Sequence, residues 1–136
     1  MTLEKLTNCE KLVMKVIWET EEEIGLTDIM DILTGKYHKD WKPQTVSTFL
    51  SRLIRKGYVS NYRKGRIFLY HILISKEQYL AQAAEEFLVF WCNDNADDFL
   101  NALLTRRPFR PDEIERIKSI LSKNRMDNTE ETDYDP

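Results

Sequence analysis

Apolar side chains recur at helical spacing in two segments near the start of the chain. Thr7 and Glu10 have the spacing of a capping box, so a first helix is predicted to start there and to end before the acidic run Glu19–Glu23. A shorter second helix is predicted from Thr27, a suitable N-cap, to about Gly35. Each helix has one apolar face to bury against another element.

The third predicted helix has the clearest limits. Pro43 suits the first helical position, where its missing N–H costs nothing, and Gly57 suits a left-handed residue beyond the end. Five apolar residues at i, i+3, i+4, i+7 and i+8 predict the buried stripe: Val46, Phe49, Leu50, Leu53 and Ile54. The opposite face is polar and basic: Gln44, Thr45, Ser47, Thr48, Ser51, Arg52, Arg55 and Lys56.

Two short segments rich in aromatic and β-branched residues follow, over residues 58–63 and 67–72. Lys64 and Gly65 are predicted to form the turn of a β-hairpin between them. Three helices followed by a hairpin is the element order of a winged helix-turn-helix. We therefore predict an α+β winged-helix domain over residues 1–75, with the hairpin as a small wing.

The rest of the chain predicts three more helices, which makes the protein mainly α. The first runs from Ser75 through Trp91, the second ends before Pro108, and the third starts at Pro111. Together they carry more apolar surface than so short a segment can hide, including Phe87, Phe90, Trp91, Phe99, Leu103, Ile117 and Leu121. We predict a helical dimerisation domain over residues 76–123, with packing onto the winged helix as the alternative. A disordered acidic tail is predicted over residues 124–136.

The net charge of −3 hides a strong asymmetry along the chain. Residues 36–76 contain ten Lys and Arg against one Asp, whereas the segments on both sides are acidic. A basic block of this size is typical of a phosphate-binding surface. The first 20 residues mix charges throughout, and no apolar run approaches the roughly 18 residues of a membrane span. A cytoplasmic protein without membrane insertion is expected.

The basic block predicts that the protein binds double-stranded DNA. Polar side chains near the start of the third helix suit base edges in the major groove. The residues assigned to base contact are Gln44, Thr45, Ser47, Thr48 and Arg52. Cations at the wing tip and at the ends of the helix suit backbone phosphates. The residues assigned to phosphate contact are Lys42, Arg55, Lys56, Arg63, Lys64 and Arg66. The alternatives are that the helix face is merely solvated and that the basic tip is an ordinary turn. The presence of a polar helix face and a basic hairpin tip in the same segment favours DNA.

The sequence contains no recognised pattern of catalytic, cofactor-binding or metal-ligating residues. Cys9 and Cys92 lie far apart and match no Cys/His ligand spacing, and His38 and His71 have no partner at such a spacing. The motifs HExxH, GxGxxG and GxxxxGK[ST] are absent. We therefore predict neither an enzyme nor a cofactor or metal, and the two cysteines are expected to be reduced structural thiols.

The chain has three distinctive segments: Glu10–Trp18, Trp41–Leu53 with its Trp-x-Pro-x-Thr-Val-x-Thr core followed by Lys56–Gly57, and the wing segment Arg63–Arg66 leading to Tyr70. These segments resemble the penicillinase-repressor family (BlaI/MecI/CopY-type transcriptional repressors). The resemblance covers nearly all of residues 8–121. It implies an N-terminal winged helix, a C-terminal three-helix dimerisation domain, and repression by a homodimer bound to a palindromic operator.

The sequence departs from this family at the residues that serve two inducing mechanisms. In the β-lactam-responsive members, derepression involves proteolysis at an Asn-Phe bond in the second dimerisation helix. Alignment through Asp112–Ile114 places Ala102 and Leu103 at that bond. Ala102–Leu103 is therefore the candidate cleavage region, with a membrane sensor protease as the candidate partner. The copper-responsive members carry C-terminal Cys-x-Cys motifs, which this chain lacks, so a copper trigger is excluded.

Two other functions are compatible with a winged helix. One is a protein-interaction module that never binds DNA, and the basic block counts against it. The other is a DNA-binding regulator that a small molecule releases, with a pocket near Tyr79 and Trp91. Loss of DNA affinity while the chain stays intact would favour the second over proteolysis.

Overall fold

The computed structural model describes residues 2–20 and 22–132, with side chains described as far as Asn124. Contacts divide the chain into two compact units, Met1–Glu86 and Phe87–Pro136. The predicted limit after residue 75 falls earlier, at the start of a helix that continues into the second unit. In chain order, the elements are α1 (Asn8–Glu19), β1 (Ile24–Gly25), α2 (Leu26–Tyr37), α3 (Pro43–Arg55), β2 (Val59–Lys64), β3 (Ile67–Ile72), α4 (Lys76–Cys92), α5 (Ala96–Arg106) and α6 (Pro111–Thr132).

Helices α1, α2 and α3 bury their apolar faces in one core, which confirms the predicted winged-helix fold. The capping box of Thr7 and Glu10 is present with both of its reciprocal hydrogen bonds. The buried side of α3 is the predicted one, although Phe49 and Ile54 lie at the edge of the core. The core consists of Leu6, Val13, Met14, Val16, Ile17, Ile24, Ile29, Leu33, Val46, Leu50, Leu53, Tyr58, Val59 and Tyr70.

The sheet has three antiparallel strands in the order β1-β3-β2. Strands β2 and β3 form the predicted wing, with Lys64 opposite Ile67, so Gly65 and Arg66 form its turn rather than Lys64 and Gly65. Gly65 has a φ of 66°, as the first central residue of a type II′ turn requires, and this preference explains the one-residue shift. Strand β1 was not predicted, because its two residues are too few to show an alternating pattern.

Helix α2 ends later than the sequence predicts. Gly35 lies inside the helix, and His38 adopts the left-handed conformation beyond its end, with a φ of 56°. The Lys39 N–H closes the helix by donating to the Leu33 carbonyl at 2.9 Å. Because glycine adopts this conformation more readily than histidine, the sequence pattern indicated the wrong residue.

Side chains from neighbouring elements bind the backbone of the irregular segment that precedes α1. The Leu3 N–H donates to Gln82 Oε1 at 2.8 Å, and Gln82 Nε2 donates back to the Leu3 carbonyl at 3.3 Å. The Tyr58 hydroxyl donates to the Glu4 carbonyl at 2.5 Å. Burial raises the pKa of Tyr58 to about 12, so this donor stays protonated. The segment thereby fastens the first turns of α4 to the winged helix.

The second unit consists of the end of α4 together with α5 and α6. Asn93 and Asp94 have positive φ values of 52° and 61° and end α4 after Cys92, close to the predicted limit at Trp91. Helix α6 continues past residue 123, where the tail was predicted to begin, to Thr132, since residues 112–132 contain neither Gly nor Pro. Of the predicted tail, residues 133–136 lie outside the described part of the chain.

Candidate nucleic-acid interface

Helix α3 presents a polar strip opposite its buried residues. Gln44 and Arg52 are exposed, and Thr45, Ser47 and Thr48 are partly exposed. Residues three or four apart are neighbours on a helix, so these five side chains form one continuous strip. The Thr48 hydroxyl donates to the Gln44 carbonyl at 2.9 Å, which leaves the hydroxyl oxygen able to accept a hydrogen bond from a base.

The tip of the wing holds three of the predicted phosphate-binding cations. Arg63, Lys64 and Arg66 are all exposed. Arg63 Nε donates to the Gly65 carbonyl at 3.1 Å, which holds this guanidinium at the turn and leaves its two terminal nitrogens for a phosphate. Cations placed in this way neutralise phosphates without reading the base sequence.

Helix α3 and the wing line a common cleft with a volume of about 500 Å³. Ser47 lines the cleft from α3, and Arg66, Ile67 and Phe68 line it from the wing. The first turn of α2, with Asp28, also contributes. The structure therefore brings a predicted base-contact residue and a predicted phosphate-contact residue to one cleft.

Two further predicted phosphate contacts lie at opposite ends of α3. Lys42 is the residue that precedes the helix and Arg55 is its last residue, and both are exposed. The 13 residues of α3 span about 20 Å, which exceeds the roughly 12 Å width of the major groove. Cations at the two helix ends are thus spaced to reach both backbones that border a groove.

Lys56 is bound within the protein, and its contacts count against the predicted role as a phosphate contact. Its Nζ lies 2.6 Å from Glu10 Oε1 and donates to the Lys5 carbonyl at 2.8 Å. The Lys56 side chain is 18% exposed and that of Glu10 only 1%. The position of Lys56 on the polar side of the helix suggested DNA, because its carboxylate partner lies 46 positions away in the sequence.

The environment of Glu10 holds the pKa of this carboxyl below its ordinary value of 4.5. Burial acts to raise the pKa, but hydrogen bonds from Lys56 and from the Thr7 backbone, together with the charge of Lys56, outweigh it. Glu10 Oε2 has no hydrogen-bond partner among the described residues. The buried carboxylate therefore depends on Lys56 for its charge balance.

The loop between α2 and α3 adds a cation to which the sequence assigned no role. Lys39 Nζ lies 6.0 Å from the centre of the Trp41 ring, and Trp41 packs edge-on against Phe49 with ring centres 5.2 Å apart. The cation–π contact holds a positive charge beside the start of α3. The sequence indicated a role for Lys39 only through its place in the basic block.

Glu23, in the loop before β1, fastens both strands of the wing. Its carboxylate accepts a hydrogen bond from the Tyr62 hydroxyl on β2 and lies 3.1 Å from His71 Nδ1 on β3. The sequence placed Glu23 only in an acidic run that ends α1. Its contacts depend on the pairing of β1 with β3, and no local pattern indicated that pairing.

Comparison with known proteins agrees with the resemblance seen in the sequence. The penicillinase repressor family model matches residues 6–123. The chain belongs to the penicillinase repressor family. Members of this family are transcriptional repressors and not enzymes, which confirms the prediction that the chain has no catalytic function.

Individual relatives match most of the chain. The penicillinase repressor of Bacillus licheniformis is 27% identical over 121 residues, which cover 89% of this chain and 92% of that protein. The methicillin resistance regulatory protein MecI of Staphylococcus aureus strain N315 is 24% identical over 119 residues, covering 88% and 94%. The solution structure of the DNA-binding domain of the repressor BlaI is 32% identical with a TM-score of 0.50, and the match covers 57% of this chain and 92% of that domain.

The second unit of this family member exposes most of its large apolar side chains. Phe90 is 73% exposed and Trp91 is 68% exposed. Among residues 87–124, Cys92 alone is buried. Of the residues predicted to mediate dimerisation, the structure exposes Phe87, Phe90, Trp91, Leu103 and Leu121 and half-buries Phe99 and Ile117. The helices of this unit leave most of the predicted dimerisation surface uncovered.

The candidate cleavage region lies in regular helix. Ala102 and Leu103 are exposed residues of α5, and the Thr105 hydroxyl further along donates to the Asn101 carbonyl at 2.8 Å. Proteases cut most readily at exposed loop tips rather than in helices. Cleavage at this bond therefore requires α5 to open locally.

The described residues were also searched for metal sites and membrane spans. Within them, no group of three or more His, Cys, Asp or Glu is placed to hold a metal ion. No helix in the described ranges is long and apolar enough to cross a membrane. Cys9 is half-buried and Cys92 is buried, and both carry free thiols.

Proposed function

We propose that this chain is a sequence-specific DNA-binding transcriptional repressor that acts as a homodimer on a palindromic operator. The observation that carries the proposal is the cleft that Ser47 of α3 shares with Arg66 of the wing. A polar helix face and a basic hairpin beside one cleft are the two parts that major-groove reading and backbone anchoring require.

Charge and similarity support DNA as the partner. Residues 36–76, which contain α3 and the wing, carry a net charge of +9 in a chain whose total is −3. An electrostatic footprint confined to one segment favours nucleic acid over a protein-interaction role. The similar solution structure is that of the DNA-binding domain of the repressor BlaI.

A homodimer accounts for the apolar surface of the second unit. Side chains as large as Phe90 and Trp91 are rarely left in water together in a monomer. A two-fold dimer covers the same patch on both chains and presents two copies of α3 to inverted half-sites. We therefore assign the exposed apolar residues of the second unit, from Phe87 to Leu121, to contact with a second copy.

Release from DNA follows one of two mechanisms, each with its own signature. Cleavage at Ala102–Leu103 by a membrane sensor protease would separate the dimerising helices and weaken binding to the operator. A small-molecule inducer would instead lower affinity while the chain stays intact. Mass spectrometry of the repressor from induced cells distinguishes them, since only the first mechanism yields two fragments.

Selection from a library of randomised duplexes tests the proposed function. The full chain is expected to enrich two inverted half-sites whose centres lie about 10 base pairs, or a multiple of this, apart. Absence of any enriched sequence would contradict sequence-specific DNA binding. Enrichment of a single asymmetric site would contradict the homodimer.

A further inference from the structure

Two apolar side chains on the wing are exposed without a role in the core. Ile67 is 57% exposed and Phe68 is 50% exposed. Both lie on β3 next to the basic turn, where the hairpin extends beyond the core that covers its base. A half-exposed aromatic ring at a tip that also carries three cations is not explained by folding.

Both residues line the cleft between α3 and the wing. Phe68 stands directly opposite Arg63 in the hairpin register, so the ring and the guanidinium are on the same face. Ser47 and Asp28 line the cleft from the helical side. An apolar wall is thus bordered by cations at the wing tip and by a carboxylate on α2.

We infer that Phe68 packs against deoxyribose rings of the operator backbone that enters this cleft. The inference rests on the proposed function and names the part of the DNA that this side of the interface contacts. A duplex backbone alternates anionic phosphates with apolar sugar edges. The arginines beside Phe68 suit the phosphates, and the ring suits the sugar between them.

The charges around the cleft argue for this assignment of sugar and phosphate. Arg63 and Arg66 attract the phosphates toward the wing tip. Asp28 on the opposite wall repels them, so a phosphate is disfavoured deeper in the cleft. A neutral sugar is the part of the backbone that fits between these charges against an aromatic surface.

A contact of this kind contributes affinity in a way that differs from an ion pair. Burying an apolar ring against a sugar is favourable without releasing a counterion. It also reads no base edge. Removing it lowers affinity for every sequence while leaving the salt dependence of binding unchanged.

The experiment compares Phe68→Ala with two reference variants of the full chain. Phe68→Leu keeps an apolar side chain in the cleft. Leu73→Ala removes a side chain that is similarly exposed, at 53%, and lies outside the lining of the cleft. Affinity is measured by fluorescence anisotropy between about 50 and 200 mM salt, on a duplex obtained from the library selection and on a scrambled duplex.

Phe68→Ala is expected to weaken binding to both duplexes by about tenfold, with an unchanged slope of log affinity against log salt. Phe68→Leu is expected to recover most of the loss, and Leu73→Ala is expected to match the wild type. Thermal melting is expected to be nearly the same for all four proteins, because Phe68 lies outside the core. A smaller salt slope for Phe68→Ala, or equal losses for it and Leu73→Ala, would overturn the inference.

Hydroxyl-radical footprinting reads the sugars directly, because the radical attacks deoxyribose hydrogens. The wild-type protein is expected to protect sugars beside each half-site, and Phe68→Ala is expected to lose protection at the nucleotides nearest the wing. Protection that persists unchanged in Phe68→Ala would refute the sugar contact alone. A wild-type protein that protects no nucleotide would instead refute the proposed function.

Discussion

Glu10 shows how one buried charge fixes the behaviour of a distant residue. The carboxylate is fully buried and accepts hydrogen bonds from Lys56 and from the start of its own helix. Lys56 lies directly after α3, so the pair joins the beginning of α1 to the end of the helix that we propose reads DNA. The Glu10–Lys56 ion pair therefore helps to hold the proposed reading helix in place.

Replacing Lys56 is expected to destabilise the fold more than replacing Glu10. Lys56→Met leaves a buried carboxylate without its cation, which costs roughly 3 kcal/mol or more. Glu10→Gln lets the partly exposed Lys56 turn toward water and costs about 1–2 kcal/mol. Urea unfolding at pH 7 measures both free energies.

A matched control is available on the surface. The Lys36–Glu19 pair has side chains that are 60% and 30% exposed, so Lys36→Met is expected to change stability little. Similar losses for Lys36→Met and Lys56→Met would contradict the role assigned to burial.

The same pair makes stability depend on pH in a defined direction. The pKa of Glu10 is lower in the folded chain than its ordinary value of 4.5, so the folded state binds this proton more weakly than the unfolded state does. Its contribution is present above about pH 5 and is lost as the pH falls through the lowered pKa. Unfolding measured from about pH 7 to 3 is expected to show a smaller acid loss in Glu10→Gln than in the wild type. Parallel curves of unfolding free energy against pH for the two proteins would contradict this role of Glu10.

Individual residues were predictable where helical spacing decides which side chains share a face. The polar strip of α3 from Gln44 to Arg52 is such a case. Lys56 followed the same spacing and was assigned to phosphate, because the sequence does not show that a carboxylate on α1 binds it. Phe68 received no role from the sequence, because an apolar run on a strand does not show where the core stops covering it.

At the scale of elements, the wing is expected to anchor the protein without selecting a sequence. Arg63→Ala and Arg66→Ala should each weaken binding to operator and random duplex alike and reduce the salt slope by about 0.9. The exposed Arg116 of α6 offers a control, since Arg116→Ala removes the same charge from the second unit. A loss confined to the operator would show that the wing reads bases.

Helix α3 is expected to behave in the opposite way. Thr45→Ala and Ser47→Ala remove hydroxyl groups that suit base edges, so each should cost about 1–3 kcal/mol on the operator and little on random duplex. Repeating the library selection with each variant is expected to relax the preference at one position of each half-site. Equal losses on the two duplexes would count against direct readout.

The sequence predicted elements well where a capping residue or a long run of apolar residues at helical spacing marks them. The capping box at Thr7 and the proline at the start of α3 both stand where the pattern placed them. Strand β1, the end of α2 and the turn of the wing depend on pairing or on the conformation of single residues. Local patterns carry no information about strand partners, so these details came from the structure.

At the scale of the whole molecule, the two units divide the charge and the apolar surface between them. The basic block lies in the first unit, and exposed apolar helices dominate the second. A net charge of −3 would by itself argue against a DNA-binding protein. The average is uninformative because binding depends on the local field of the first unit.

The second unit is expected to hold the dimer together. Phe90→Ser combined with Trp91→Ser removes two of its most exposed aromatic rings and should convert a dimer to a monomer in sedimentation equilibrium. Leu80→Ser, which changes a side chain of the first unit that is 52% exposed, is expected to leave the dimer intact. A wild-type protein that is monomeric at micromolar concentration would contradict the assignment.

An electrophoretic mobility shift with the promoter fragment next to the gene for this chain tests the central claim most directly. The full chain is expected to retard that fragment at concentrations at least about a thousandfold below those needed for a scrambled fragment of the same length, measured at the same salt concentration. Equal retardation of the two fragments, or of neither, would contradict a sequence-specific repressor.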